Sequence, residues 1–211
     1  MNTIINHYDR LIDETNDPAH DPPALQEYMD KWDGQTFIDE LQLTADKAVL
    51  EIGVGTGRLA LRVCGNCKSF TGIDIFPQTI TRAKENLREY DNINFICANF
   101  LTYPFSESFD VIYSSLTFIH IMDKRAAIRK AADLLNSSGL FVLSVSKSQD
   151  KVLEYGDRKI EIYPDTLEQI TALLTDTGLA IEKQFETEFV VVFAARKGTK
   201  TYESCNQALN A

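Results

Sequence analysis

Three glycines at alternate positions, Gly53, Gly55 and Gly57, follow the apolar run Ala48-Val49-Leu50-Glu51-Ile52 and lead into a helical pattern beginning at Arg58. A strand, a glycine turn and a helix in that order form a cradle for a nucleotide-like ligand. Glycine permits backbone angles and a closeness of approach that a Cβ would block. The first turn of the helix behind it offers N–H groups with no partner inside the helix. The spacing narrows the ligand further. Dinucleotide folds use G-x-G-x-x-G, and here Arg58 stands where the last of those glycines would be. There is no G-x-x-x-x-G-K-[ST] phosphate loop either. A glycine turn with no lysine or hydroxyl clamp suits a ligand that carries no phosphate.

The chain beyond this turn alternates strand and helix signals. Lys68 to Ile75 reads as a second strand that reaches an acid, Asp74, 17 residues after Gly57. An acid at that strand end is placed to accept hydrogen bonds from both ribose hydroxyls of a nucleoside. Pro77 to Tyr90 reads as a helix with proline at its start, and Ile93 to Phe100 as a third strand. Ser108 to Leu116 gives a fourth strand, Met122 to Asn136 a helix, and Leu140 to Val145 a fifth, wholly apolar strand. Gly156-Asp157 between two alternating runs predicts a hairpin within 151–163. Asp165 to Thr177 is the last helix, and Leu179 to Phe185 and Phe189 to Ala195 are two closing strands. At 211 residues the chain is long enough for one α/β domain with this alternation.

Taken together, Glu51-Ile52-Gly53-Val54-Gly55-Thr56-Gly57, Asp74, and the run Phe109-Asp110-Val111-Ile112-Tyr113-Ser114-Ser115 resemble the motifs of the class I S-adenosylmethionine-dependent methyltransferases. The resemblance covers roughly residues 46–197, with the motifs in order and at the expected spacings. It implies an α/β, Rossmann-like, seven-stranded and mostly parallel sheet with an antiparallel last strand. The expected division is an N-terminal helical cap over 1–45, a cofactor-binding core over 46–197 with a hairpin insertion at about 148–163, and a tail over 198–211. The cofactor it implies is S-adenosylmethionine, with S-adenosylhomocysteine as product.

By that resemblance Glu51, Gly53, Gly55, Gly57, Asp74, Ile75, Asn99, Phe100, Ser114 and Ser115 are the expected cofactor-binding residues. Relatives commonly carry an acid where Asn99 sits, accepting a hydrogen bond from the adenine amino group. Asn can accept through its amide oxygen but lacks the charge. Asp110 opens its strand, at the end away from the cofactor, and is expected to be structural. In the family a helical extension before the core covers the cofactor. Ile4, Ile5, Tyr8, Leu11 and Ile12 are spaced helically, and after the breakers at Pro18, Pro22 and Pro23 so are Leu25, Tyr28, Met29 and Trp32. Tyr8, Trp32 and Leu116 are the expected substrate or lid residues.

Charge and composition limit the partners. The formal net charge is −10, and no Lys/Arg cluster offers the basic face a nucleic-acid backbone needs. No run approaches the ~18 apolar residues of a membrane span. The N-terminal stretch has no basic region followed by an apolar core, so a cytoplasmic location is expected. Cys64-Gly65-Asn66-Cys67 has no second Cys or His pair at a metal-binding distance, so no metal site is expected and the thiols are expected to be reduced.

Methyl transfer from a sulfonium is an in-line displacement in which positioning is the enzyme's main contribution, worth up to ~7–11 kcal/mol. Acceptors that lose a proton also call for a general base. His120, the one histidine of the core segment, is the candidate, with His7, Tyr8 and Tyr113 behind it. An acceptor already ionised would need none. The reading is a methyltransferase acting on a small molecule at oxygen or nitrogen. A non-catalytic domain binding the same cofactor is the alternative. A nicotinamide oxidoreductase fits poorly, because of Arg58 and the short chain. The acceptor and the oligomeric state carry no readable signal.

Overall fold

The computed structural model describes residues 2–198. Its centre is a seven-stranded sheet. The strands are β1 (Ala48–Ile52), β2 (Ser69–Asp74), β3 (Ile93–Cys97), β4 (Phe109–Ser114), β5 (Leu135–Ser146), β8 (Leu179–Glu186) and β9 (Val190–Lys197), in the order β3-β2-β1-β4-β5-β9-β8. The first five are parallel, and β9 runs antiparallel to both neighbours. Strands β6 (Val152–Tyr155) and β7 (Arg158–Glu161) form a separate hairpin turned at Gly156, as the alternation predicted.

The central strands are apolar on both faces because helices cover both. On one side Leu50, Ile52, Ile112, Phe141 and Phe193 pack with residues of α6 (Lys124–Leu134) and α7 (Leu167–Asp176), among them Ile128 and Leu174. On the other, Val49, Val111, Tyr113, Val142 and Val192 meet α3 (Gln35–Glu40), α4 (Ala60–Val63) and α5 (Pro77–Asn86) through Phe37, Val63 and Ile80. Tyr113, Phe141 and Phe193 are wholly inaccessible to solvent. This is the burial expected of parallel strands.

Strand order reverses between β1 and β4, which lie side by side with Glu51 opposite Tyr113. Chain leaving β1 turns toward β2, and chain leaving β4 turns toward β5. The carboxyl ends therefore open a crevice at that point, where open α/β sheets bind ligands. Two further helices, α1 (Asn2–Asp13) and α2 (Pro23–Asp33), lie before the sheet. Helix α1 is tied to the hairpin: Arg158 donates from Nη2 to Glu14 Oε2 at 2.6 Å and from Nη1 to the His7 carbonyl at 3.3 Å.

Among the boundaries that differ from the sequence reading, those of α6 and the start of β5 have a local cause. Helix α6 starts at Lys124 because the Asp123 carboxylate accepts from Ala126 N at 2.9 Å and caps it there. It stops at Leu134 because Leu135 already pairs with Phe109 and begins β5, five residues before the expected strand. Asp110 behaves as expected at the far end of the sheet, accepting from Ala48 N at 2.9 Å and from Asn136 Nδ2 at 2.7 Å.

Candidate functional site

The crevice holds a cavity of about 890 Å³. Its floor is the glycine turn. Gly53 has φ +82°, and a Cβ there would lie 1.9 Å from Thr117 Oγ1, so β1 and the segment after β4 touch only because this residue is glycine. Gly55 has φ +56° and would carry its Cβ into open space on the cavity side. Gly57 serves packing. It does not line the cavity, and its Cβ would meet Leu87 Cδ1 at 2.3 Å.

Asp74 stands directly beside this turn. Its Oδ2 accepts from Gly55 N at 2.9 Å and its Oδ1 from Ile75 N at 2.7 Å. Each oxygen keeps a further lone pair. Burial pushes the Asp74 carboxyl up to about 6, although the Gly55, Ile75 and Phe76 N–H groups pull the other way. Glu51, also on the cavity wall, accepts from the Tyr113 hydroxyl at 2.8 Å, and its complete burial holds its carboxyl well above the usual range. Asn99 and Phe100 follow β3 along the same wall. The Asn99 amide oxygen is engaged by Leu101 N at 2.8 Å, which tightens the turn after β3.

Beyond β4, Ser115 Oγ donates to Asp33 Oδ2 at 2.6 Å, and Leu116 lines the cavity with φ +58°. A left-handed leucine costs on the order of 1–2 kcal/mol, and such strain collects at ligand-facing positions. Tyr8 reaches over the opening from α1. Its ring stacks on Phe76 at 4.5 Å, and its hydroxyl lies 2.7 Å from His120 Nε2. Burial lowers the His120 imidazole to about 4, helped by the nearby His7 and Lys124, while burial and Asp74 raise the Tyr8 hydroxyl.

Two expected positions lie elsewhere, besides Gly57. Ser114 is fully buried and donates to the Ile52 carbonyl at 2.8 Å, so its side chain bridges β4 to β1 inside the sheet. Trp32 stacks on Phe189 at 4.7 Å and packs on the sheet away from the cavity. The α2 residue that reaches the wall is Met29. Arg58 was noted in the sequence only for where it stands. It proves to line the cavity, held by the buried Asp33 through Nη2 at 2.7 and 2.6 Å. Ile160 on β7 also lines it, and no local pattern announced either residue. Cys64 and Cys67 are buried free thiols, raised by burial. Cys97 is free and exposed, and Cys205 lies outside the described residues. Among the described residues no cluster of three metal-ligating side chains occurs, and no helix is long and apolar enough to cross a membrane.

A doubly wound sheet with a glycine turn and a buried acid beside it at the crevice is the arrangement of the nucleotide-binding α/β folds. The family model described as a methyltransferase domain matches residues 50–143. An uncharacterized methyltransferase of Geobacillus thermodenitrificans is 30% identical over 194 residues, spanning 82% of this chain and 88% of that one. Nodulation protein S of Sinorhizobium fredii is 24% identical over 188 residues, 87% of this chain and 83% of that protein. Among solved structures, the N-methyltransferase NodS of Bradyrhizobium japonicum, in complex with S-adenosyl-L-homocysteine, superposes with a TM-score of 0.69 at 19% identity, covering 92% of this chain and 98% of that one. A putative S-adenosylmethionine-dependent methyltransferase from Listeria monocytogenes gives the same TM-score at 18% identity, covering 78% of this chain and 96% of that one. The chain belongs to the class I S-adenosylmethionine-dependent methyltransferases. Its cofactor is S-adenosylmethionine.

Proposed function

We propose that this methyltransferase acts on a small-molecule acceptor, at oxygen or nitrogen, within the cavity beneath α1 and the β6–β7 hairpin. The observation that carries the reading is the Asp74 carboxylate beside Gly55 N at the mouth of the glycine turn. Asp74 would accept from the ribose hydroxyls, and Gly53 and Gly55 would let the amino-acid tail lie on the backbone. Phe100 and Asn99 would face the adenine. Arg58, held by Asp33 through Nη2, would answer the tail carboxylate with its remaining N–H donors. The residues present fit the donor: the turn opens onto free space at Gly55, and the Asp74 oxygens keep lone pairs toward it. The lining side chains would hold the donor methyl and the acceptor in line, and the donor's sulfonium would supply an already activated methyl.

A small acceptor suits the enclosure. Tyr8, Ile160 and Leu116 line a half-open cavity of about 890 Å³ from α1, the hairpin and the segment after β4. Nodulation protein S and NodS are similar along most of this chain, and the solved NodS is an N-methyltransferase, which keeps nitrogen among the acceptor atoms. Calorimetry with S-adenosylhomocysteine tests the reading: saturable one-to-one binding is expected, lost in Asp74→Ala. Binding that survives Asp74→Ala unchanged would sink the assignment of the ribose site.

A further inference from the structure

The Tyr8–His120 pair lines the cavity and bears on which kind of nucleophile the cavity suits. The two side chains come from segments 112 residues apart and meet at 2.7 Å, Tyr8 Oη to His120 Nε2. Among the described residues, His120 Nδ1 is buried with no hydrogen-bond partner. A neutral imidazole has one N–H and one lone pair to place. Placing the proton on Nδ1 would bury an N–H donor without a partner, and such orphans are rarer and costlier than an unpaired acceptor. The lower-cost tautomer carries the proton on Nε2 and donates it to the Tyr8 oxygen. The Tyr8 hydroxyl proton is then left for the cavity, which Tyr8 lines. Stacking on Phe76, with 22° between the planes, favours this orientation of the ring.

We propose that Tyr8, oriented by His120, is the hydrogen-bond donor to the methyl acceptor, that neither residue removes a proton, and that the acceptor atom is an already ionised oxygen, as in a carboxylate on an apolar body. This rests on the methyltransferase reading of the same cavity and deepens it. An oxygen that accepts the Tyr8 proton keeps another lone pair for the methyl carbon, whereas an amine nitrogen has one lone pair and would lose it to Tyr8. Ile4, Leu116, Ile121 and Ile160 contribute apolar wall to this cavity, alongside the charged Asp123, Lys159 and Glu161. Transfer between a sulfonium and an oxyanion cancels two charges, which the buried part of such a cavity favours. In that step an acceptor oxygen lone pair forms the new C–O bond, and the methyl C–S bond breaks with its electron pair remaining on sulfur. The products are a neutral methyl ester and a thioether, and no proton moves.

The groups facing His120 are Tyr8, His7 and Lys124. Burial is the main influence lowering its imidazole, and the two basic neighbours act in the same direction. Nitrogen-detected NMR of the 15N-labelled full chain reads the tautomer directly, with His120→Gln assigning the resonance. A neutral ring protonated on Nε2 at pH 7 is expected; an Nδ1–H tautomer or an imidazolium overturns the proposal. The S-adenosylhomocysteine-loaded protein is then titrated with phenylacetate and with phenethylammonium as probes. Phenylacetate should bind, at least about tenfold more weakly in Tyr8→Phe. His120→Gln, which keeps an N–H donor but cannot act as a base, should stay within a few-fold of wild type, and His120→Leu should resemble Tyr8→Phe. Preference for phenethylammonium, binding of neither probe, or equal losses in His120→Gln and His120→Leu overturns it. Failure of the methyltransferase reading would show earlier and separately, as absence of S-adenosylhomocysteine binding.

Discussion

Arg58 Nη2 lies 2.6 Å from Oδ2 of Asp33, a carboxylate with no solvent-accessible side chain, and this contact joins the end of α2 to the glycine turn. The same oxygen accepts from Ser115 Oγ at 2.6 Å, and Ser115 in turn lies 3.0 Å from Ser144 Oγ. Four segments are thus tied around one buried charge: the cap, the turn after β1, the exit of β4 and strand β5.

Removing one partner of such a pair strands the other. Asp33→Ala leaves the Arg58 guanidinium, itself mostly covered, without its counter-charge and leaves Ser115 without an acceptor. A loss of about 3–5 kcal/mol is expected. Urea denaturation of the two proteins measures it. A loss under about 1 kcal/mol would show that the pair is solvated and does not tie the cap to the core.

The glycine turn separates stability from binding. Gly53→Ala places a Cβ on Thr117 and should destabilise the fold, or displace the segment after β4, by about 1–3 kcal/mol. Gly55→Ala meets no atom within 4 Å and adds only the strain of a left-handed alanine, about 1 kcal/mol. Its methyl, however, enters the space assigned to the cofactor. Thermal unfolding should rank Gly53→Ala as the more damaging substitution. Calorimetry should find S-adenosylhomocysteine affinity lowered at least tenfold in Gly55→Ala.

Asp74 links cofactor affinity to pH. Its carboxyl is raised from 3.8 to about 6, mainly by burial. In the free protein a raised carboxyl favours the folded state when protonated. That contribution is complete below the unfolded value and is lost as pH rises through about 6. Binding has the opposite sign, since only the ionised carboxylate can accept from both ribose hydroxyls. S-adenosylhomocysteine affinity should therefore fall roughly tenfold per pH unit below about 6 and level off above it. Asp74→Asn should bind weakly at every pH and lose the slope. A flat profile in the wild type between pH 5 and 7 would contradict this.

Thr166 begins α7 with a complete capping box: its Oγ1 accepts from Gln169 N at 3.2 Å, while Thr166 N donates to Gln169 Oε1 at 2.9 Å. Thr166→Ala should cost about 1 kcal/mol in chemical denaturation. It lies outside the cavity, so cofactor affinity measured on the same preparation should be unchanged.

Much of this was legible locally. Alternation of apolar strands with helices, the glycine spacing and an acid at the end of β2 are properties of short segments. They led to the strands of the sheet and to the acid beside the glycine turn, while the antiparallel last strand was what the family resemblance implied. Less was legible where a side chain's direction depends on a distant partner. Ser114 and Ser115 are adjacent and chemically alike, yet one turns into the sheet toward Ile52 and the other toward Asp33 on the cavity side. Trp32 and Met29 share α2, and only the packing of Phe189 against Trp32 decides which of them meets the cavity.

The chain's own order of residues therefore settled the fold and the meeting of Asp74 with the glycine turn, because backbone freedom at glycine and the repeat of apolar positions act over a few residues. Packing alone decided that Arg58 meets Asp33 and that Tyr8 meets His120 across 112 positions. No local pattern encodes such pairs. They exist because the closing of α1, α2 and the hairpin over the sheet removes water from polar groups that must then satisfy one another.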